Sequence, residues 1–142
     1  MTKPQSLSAE FIMQIRANIE PVIHVGDSDH GKRQFIPITG GTVTGERIQG
    51  EVLPGADWQL LRNDGVLEIE AIYAIRTHDQ VVINVKNIGI VSEASGRPYV
   101  RTQPRLQAPQ GNYDWMNKRL FLSTITAAQD RSHVLVDVFE VC

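Results

Sequence analysis

The chain lacks most of what announces a function. It holds one cysteine, Cys142, so an internal disulfide and a zinc–thiolate cluster are both excluded. Its four histidines, His24, His30, His78 and His133, show neither His-x-His nor His-x-x-x-His spacing. The clustered histidines of a cupin are therefore missing, and we expect no metal site. Asp27-Ser28-Asp29 starts like a calcium loop, but the twelfth position is Ile38 where a glutamate is needed. The glycines from Gly40 to Gly45 fit neither the dinucleotide nor the phosphate-loop pattern, and no Gly-x-Ser-x-Gly elbow occurs. We expect no cofactor.

Charge of one sign is also lacking. Fourteen lysines and arginines against sixteen acids leave a net charge of −2, and no three cations stand in a row. A nucleic-acid partner needs a basic stripe to neutralise phosphates, so none is expected. No apolar run approaches the roughly 18–20 residues of a membrane-spanning helix. Met1 to Glu10 shows neither the apolar stretch nor the small-residue cleavage site of a signal peptide. The expectation is a cytoplasmic protein with no membrane partner.

What is present is a period of two. Phe11, Met13, Ile15, Ala17 and Ile19 alternate with Gln14, Arg16 and Asn18, Ile12 being the exception. Leu67, Ile69, Ala71, Tyr73 and Ile75 alternate with Glu68, Glu70 and Arg76. Such alternation describes half-buried strands. In the last strand, Val134, Val136 and Val138 alternate with Leu135, Asp137 and Phe139, apolar on both faces apart from Asp137.

Turn residues divide these runs: Gly26 to Gly31, Gly40-Gly41, Pro54-Gly55, Asn63-Asp64-Gly65, His78-Asp79-Gln80, Glu93 to Pro98, Ala108 to Asn112 and Gln129 to Ser132. Tyr113 to Arg119 has room for a single helical turn. The pattern predicts an all-β protein, a single antiparallel β-barrel of about ten short strands forming one domain over residues 1–142. Closure removes exposed edges, and a barrel of eight or more strands encloses a small-ligand cavity.

Several ordered motifs resemble a known family. They are Phe35-Ile36-Pro37-Ile38-Thr39-Gly40-Gly41-Thr42 with Gly45 and Gly50, then Leu53 to Trp58, and Arg62-Asn63-Asp64-Gly65-Val66. Tyr73, Thr77, Tyr99-Val100-Arg101-Thr102, Tyr113 to Asn117 and Val136 to Val141 continue the order. Together they resemble the family known as domain of unknown function 3237, small β-barrel proteins of bacteria and fungi. The family often has a glycine pair before Ala-Asp-Trp, where Gly55 stands alone here. It usually has Asp-Gly where this chain has Asp79-Gln80. The resemblance implies a barrel with a pocket, often self-associating, and no settled reaction.

Asp57 is the first candidate for chemistry. A carboxyl beside Trp58, where loop meets strand, suits a general acid or base with a raised pKa; its alternative is a cap on the Pro54-Gly55 turn. Tyr73 shares the apolar face of its strand, as core or as a proton donor in a pocket. Arg101, within a strand expected to be buried on one face, needs a partner, either an internal carboxylate or a ligand oxygen. Asp57, Tyr73 and Arg101 form the expected catalytic set.

Trp58, Arg62, Tyr113, Trp115 and Asn117 are the expected substrate-binding residues. Arg62 has a second reading as a surface ion pair beside Asp64. Tyr113, Trp115 and Asn117 have a second reading as a plug over one barrel end. The function expected is that of a cofactor-independent enzyme, an isomerase, cyclase, hydratase or lyase acting on a small apolar carbonyl compound. The alternative is a non-catalytic barrel that binds a small hydrophobic ligand. Leu135 and Phe139, outward on the last strand, suggest a homodimer.

Overall fold

The computed structural model describes residues 2–142. Nine strands follow one another: β1 (Ala9–Ile19), β2 (Ile23–Ser28), β3 (Gly31–Thr44), β4 (Gly50–Leu61), β5 (Leu67–Thr77), β6 (Val82–Ala94), β7 (Arg97–Gln107), β8 (Phe121–Ala127) and β9 (His133–Val141). A 3₁₀ turn, Asp114–Lys118, lies between β7 and β8. The strand order is β1-β9-β8-β7-β6-β5-β4-β3-β2, and β1 also pairs with β3. That second pairing closes eight strands into an antiparallel barrel. β2 stays outside the ring, as a hairpin partner for the first residues of β3.

The strands are fewer and longer than the expected ten, with 14 residues in β3 and 13 in β6. Gly40-Gly41 and Pro54-Gly55, which read as breaks, lie inside β3 and β4. They bend strands without ending them, as glycines and bulges do in barrels. At Gly41 a side chain is impossible, because its Cβ would stand 1.8 Å from Arg16 O. Similarly, Gly26 to Ser28 belongs to β2, which leaves Asp29-His30 as the turn. The turns at Asn63-Asp64-Gly65 and His78-Asp79-Gln80 form where expected.

A bulge between Phe11 and Met13 splits the face expected for β1. Met13, Ile15 and Ala17 point inward, while Phe11 is turned out against Phe139. One half of the barrel is filled by Met13, Val43, Ile48, Ile75, Ile83, Val85 and Val138. Met116 and Phe121 close that end beneath the 3₁₀ turn. The other half, toward the β4–β5, β6–β7 and β8–β9 turns, is hollow.

Candidate functional site

The hollow half holds a cavity of about 520 Å³, and all eight strands of the ring contribute to its wall. Most of that wall is aliphatic, with Ile36, Ile38, Ile69 and Val136 among it. Polar groups gather on one stripe: Asp57 and Gln59 from β4, Tyr73 from β5 and Asn87 from β6.

A bulge aims Asp57 into this space. Leu53 pairs with Ala74 and Ala56 with Ile72, so β4 carries one extra residue at Pro54-Gly55. Before the bulge Val52 faces inward; after it, the inward residues are Asp57 and Gln59. Bulges re-aim side chains in this way beside functional sites. Gly55 makes the bulge possible, since a Cβ there would lie 2.2 Å from Ile72 O and 2.7 Å from Tyr73 Cβ. Asp57 is therefore not the cap of a turn between strands, because Pro54-Gly55 is not such a turn.

Asp57 pairs with Ala71 and Ala71 with Asn87, so the three form a row across the wall. The small Ala71 side chain leaves space between the two polar ones. Asp57 Oδ2 accepts a hydrogen bond from Gln59 Nε2 (2.9 Å), and Gln59 Oε1 accepts one from Gln34 Nε2 (2.7 Å). Asp57 Oδ1 and Asn87 Oδ1 are buried without a partner. Burial pushes the Asp57 carboxyl up to about 6, against the pull of hydrogen bonds from Gln59 and the Glu70 backbone. Burial, and then the nearby Asp57 charge, push the Tyr73 phenol up, so it stays protonated. The site thus holds one carboxyl able to gain or lose a proton near neutrality, a fixed phenol and an unmatched amide oxygen.

The other expected residues lie elsewhere. Arg101 is on the outer face of β7, because Val100 and Thr102 take the inward positions. Its Nη1 donates to Val100 O (2.7 Å), and its guanidinium lies 5.3 Å from the Tyr99 ring centroid. It does not reach the cavity and cannot hold a ligand oxygen there. Trp58 alternates outward from Asp57 and stacks on Phe35. Arg62 forms surface ion pairs with Asp64 and Glu68.

Tyr113, Trp115 and Asn117 form the plug at the closed end. Tyr113 Oη donates to Asp79 Oδ1 (2.7 Å), Trp115 packs edge-on to Phe121, and Arg47 lies 3.8 Å over the indole. Asn117 clamps Ala108 through both its N–H and its carbonyl, each at 2.8 Å. A 3₁₀ turn replaces the extended segment that would have put the three on one face. Gln59 and Asn87 were not anticipated, although both are polar residues in phase with inward positions of their strands.

Residues 7–141 match the family described as protein of unknown function (DUF3237). The chain belongs to this family. A UPF0311 protein of Rhodopseudomonas palustris is 37% identical over 96% of this chain and 97% of its own. The crystal structure of a conserved protein of unknown function from the same bacterium shares the DUF3237 barrel at a TM-score of 0.89 and 34% identity, covering 98% of this chain and 100% of that one. A hydroalkoxylation enzyme of Penicillium herquei is 25% identical over 82% of this chain and 72% of its own.

Proposed function

We propose that this DUF3237 protein is a cofactor-independent enzyme that moves a proton on a small, mostly apolar carbonyl compound bearing a hydroxyl. The observation that carries the reading is the pair of buried, unpartnered acceptors, Asp57 Oδ1 and Asn87 Oδ1, on the wall of one apolar cavity. Buried polar atoms without partners are rare in folded proteins, and two on one cavity fit a ligand that brings its own donors. A cavity of about 520 Å³ accommodates a small organic molecule.

Hydroalkoxylation, the activity in the name of the Penicillium relative, adds a hydroxyl oxygen and its proton across a C=C bond. Asp57 suits the proton movements of such an addition. Its carboxylate takes the hydroxyl proton as oxygen bonds to carbon, and the resulting acid returns that proton to the neighbouring carbon. An acid with a pKa of about 6 is far too weak to protonate an isolated alkene. The alkene must therefore be conjugated to a carbonyl, and the Tyr73 phenol is the donor for the oxygen that gathers negative charge.

The test uses hydroxy-enones that close to five- or six-membered cyclic ethers, with ring closure followed by chromatography. Asp57→Asn should slow closure by roughly 10²–10⁴ while KM changes little, because the amide keeps shape and loses proton transfer. Undiminished closure by a folded Asp57→Asn variant would leave only the carrier reading of the cavity. The proposal also includes a twofold dimer, for which Trp58, Ile72 and Ile90 on the outer wall supply exposed apolar surface. Light scattering at micromolar concentration should give twice the monomer mass, and monomer alone rejects the dimer.

A further inference from the structure

The barrel wall has one weak seam. β7 pairs with β6 along its whole length, from Arg97 with Ala94 to Gln107 with Asn84. Toward β8, among the described residues, the ladder holds a single pair, Thr102 with Ser123, whose buried hydroxyls hydrogen-bond each other. On one side of that pair lie the plug and Phe121. On the other side, beside the cavity, no further pair forms among the described residues; Pro98 and Val100 line the cavity from β7, and Ile125 and Ala127 from β8.

The sequence of β7 explains why this stretch does not zip. Successive residues of a strand turn their backbone groups to opposite neighbours. Arg101 O lies 2.3 Å from where a Cβ on Gly89 would stand, so it points to β6. The even-numbered residues of β7 therefore face β8. Two of them, Pro98 and Pro104, have no N–H to give. Between Pro98 and the Thr102 bridge, the remaining even residue is Val100, and its carbonyl is taken by Arg101 Nη1. Arg101, absent from the cavity, thus occupies a ladder acceptor at the edge of the gap.

The gap also faces the right wall. In a ring of eight strands ordered β3 to β9 with β1, β8 stands four places from β4. A molecule passing between β7 and β8 meets Asp57 of β4 across the lumen, with Asn87 of β6 beside its path.

We propose that the unzipped stretch between β7 and β8 is the port through which the cavity exchanges small, mostly apolar ligands, kept open by Pro98 and by Arg101 on Val100 O. This rests on the reading of the cavity as a ligand chamber, and the experiment separates the two. Continuing the register from Thr102 and Ser123, Tyr99 stands opposite Thr126, and both are exposed. Tyr99→Cys/Thr126→Cys in a Cys142→Ser background is bridged with dibromobimane. Binding and release of the neutral fluorophore prodan are then followed by stopped flow.

Bridging should slow both rates by about tenfold or more and leave the equilibrium affinity within about twofold, as closing a passage does. The same bridge on Ala74→Cys/Asn84→Cys, which face each other across the intact β5–β6 ladder, should leave the rates unchanged. Pro98→Val, which restores an N–H toward β8 without a cross-link, should slow exchange in the same direction. Unchanged rates in both the bridged protein and Pro98→Val overturn the port while the chamber stands. If Ala71→Trp, which fills the space between Asp57 and Asn87, fails to weaken prodan binding, the chamber itself is overturned, and the port with it.

Discussion

Asp57 makes the protein less stable as its carboxyl ionises. In the unfolded chain the group titrates near 3.8, and in the folded barrel near 6. The folded state therefore favours the protonated form. That contribution is complete below about pH 3.8 and is lost as pH rises through about 6. Above neutrality, folding carries a burden of about 3 kcal/mol for a shift of about two units. Asp57→Asn should thus raise the urea midpoint at pH 8 and change it little at pH 4. A variant that is less stable at pH 8 would mean that Asp57 holds the β4 bulge together. Gln59→Leu removes a hydrogen bond that pulls the Asp57 pKa down, so the midpoint of any Asp57-dependent rate should move to higher pH. A carboxyl carbon titration by nuclear magnetic resonance checks the same shift without turnover. At this scale the sequence indicated the two residues whose positions were local matters. Tyr73 lay on the apolar face set by Glu68, Glu70 and Arg76, although Ile72 and Ala74 interrupt the polar face, and Asp57 followed a Pro-Gly pair. Arg101 was misplaced because Tyr99-Val100-Arg101-Thr102 has no polar–apolar contrast to fix which face is inside. Asn87, in phase with Ile83 and Val85, carried a usable signal: a polar side chain on the apolar face of its strand.

Elements divide into those that aim the site and those that seal the barrel. The Pro54-Gly55 bulge aims it. Gly55→Ala would drive a methyl into Ile72 O and Tyr73, and the strand cannot yield without shifting Asp57. We expect a loss of roughly 2 kcal/mol or more in stability, together with weaker prodan binding, measured by urea denaturation and fluorescence titration. The 3₁₀ turn seals. Asn117→Ala breaks two hydrogen bonds to Ala108 and should cost roughly 1–3 kcal/mol, with ligand affinity unaltered. A large loss of affinity there would return Asn117 to the binding site. Strand identity was legible because turn chemistry at Asn63-Asp64-Gly65 and at His78-Asp79-Gln80 is local. Strand length was not. A Gly-Gly or Pro-Gly pair ends a strand in one context and bends it in another, and the neighbouring strands decide which.

On the scale of the whole molecule, the order of the ring follows the order of the chain with one exception. From β3 through β9 each strand pairs with the next, so the pairings grow by local hairpins. Closure requires β1, which pairs with β3 on one side and with β9 on the other; Ile15 meets Val136 across nearly the full length of the chain. Period-two alternation and the want of helices to cover an edge made a closed barrel legible from sequence. The split seam was not, because it depends on which neighbour the backbone of β7 faces. The long-range closure has a kinetic consequence. Bringing distant segments together costs chain entropy before contacts repay it, so β1–β9 pairing belongs late in folding. Val138, fully buried on β9 and paired with Met13, reports on that step. Val138→Ala should destabilise by roughly 2 kcal/mol through its lost methyls and cavity. If closure follows the transition state, nearly all of that appears as faster unfolding, about thirtyfold, with the refolding rate almost unchanged. Ile83→Val, inside the β5–β6 hairpin, should instead slow refolding. Stopped-flow chevrons of the two variants decide the order, and slowed refolding in Val138→Ala would place closure in the nucleus instead.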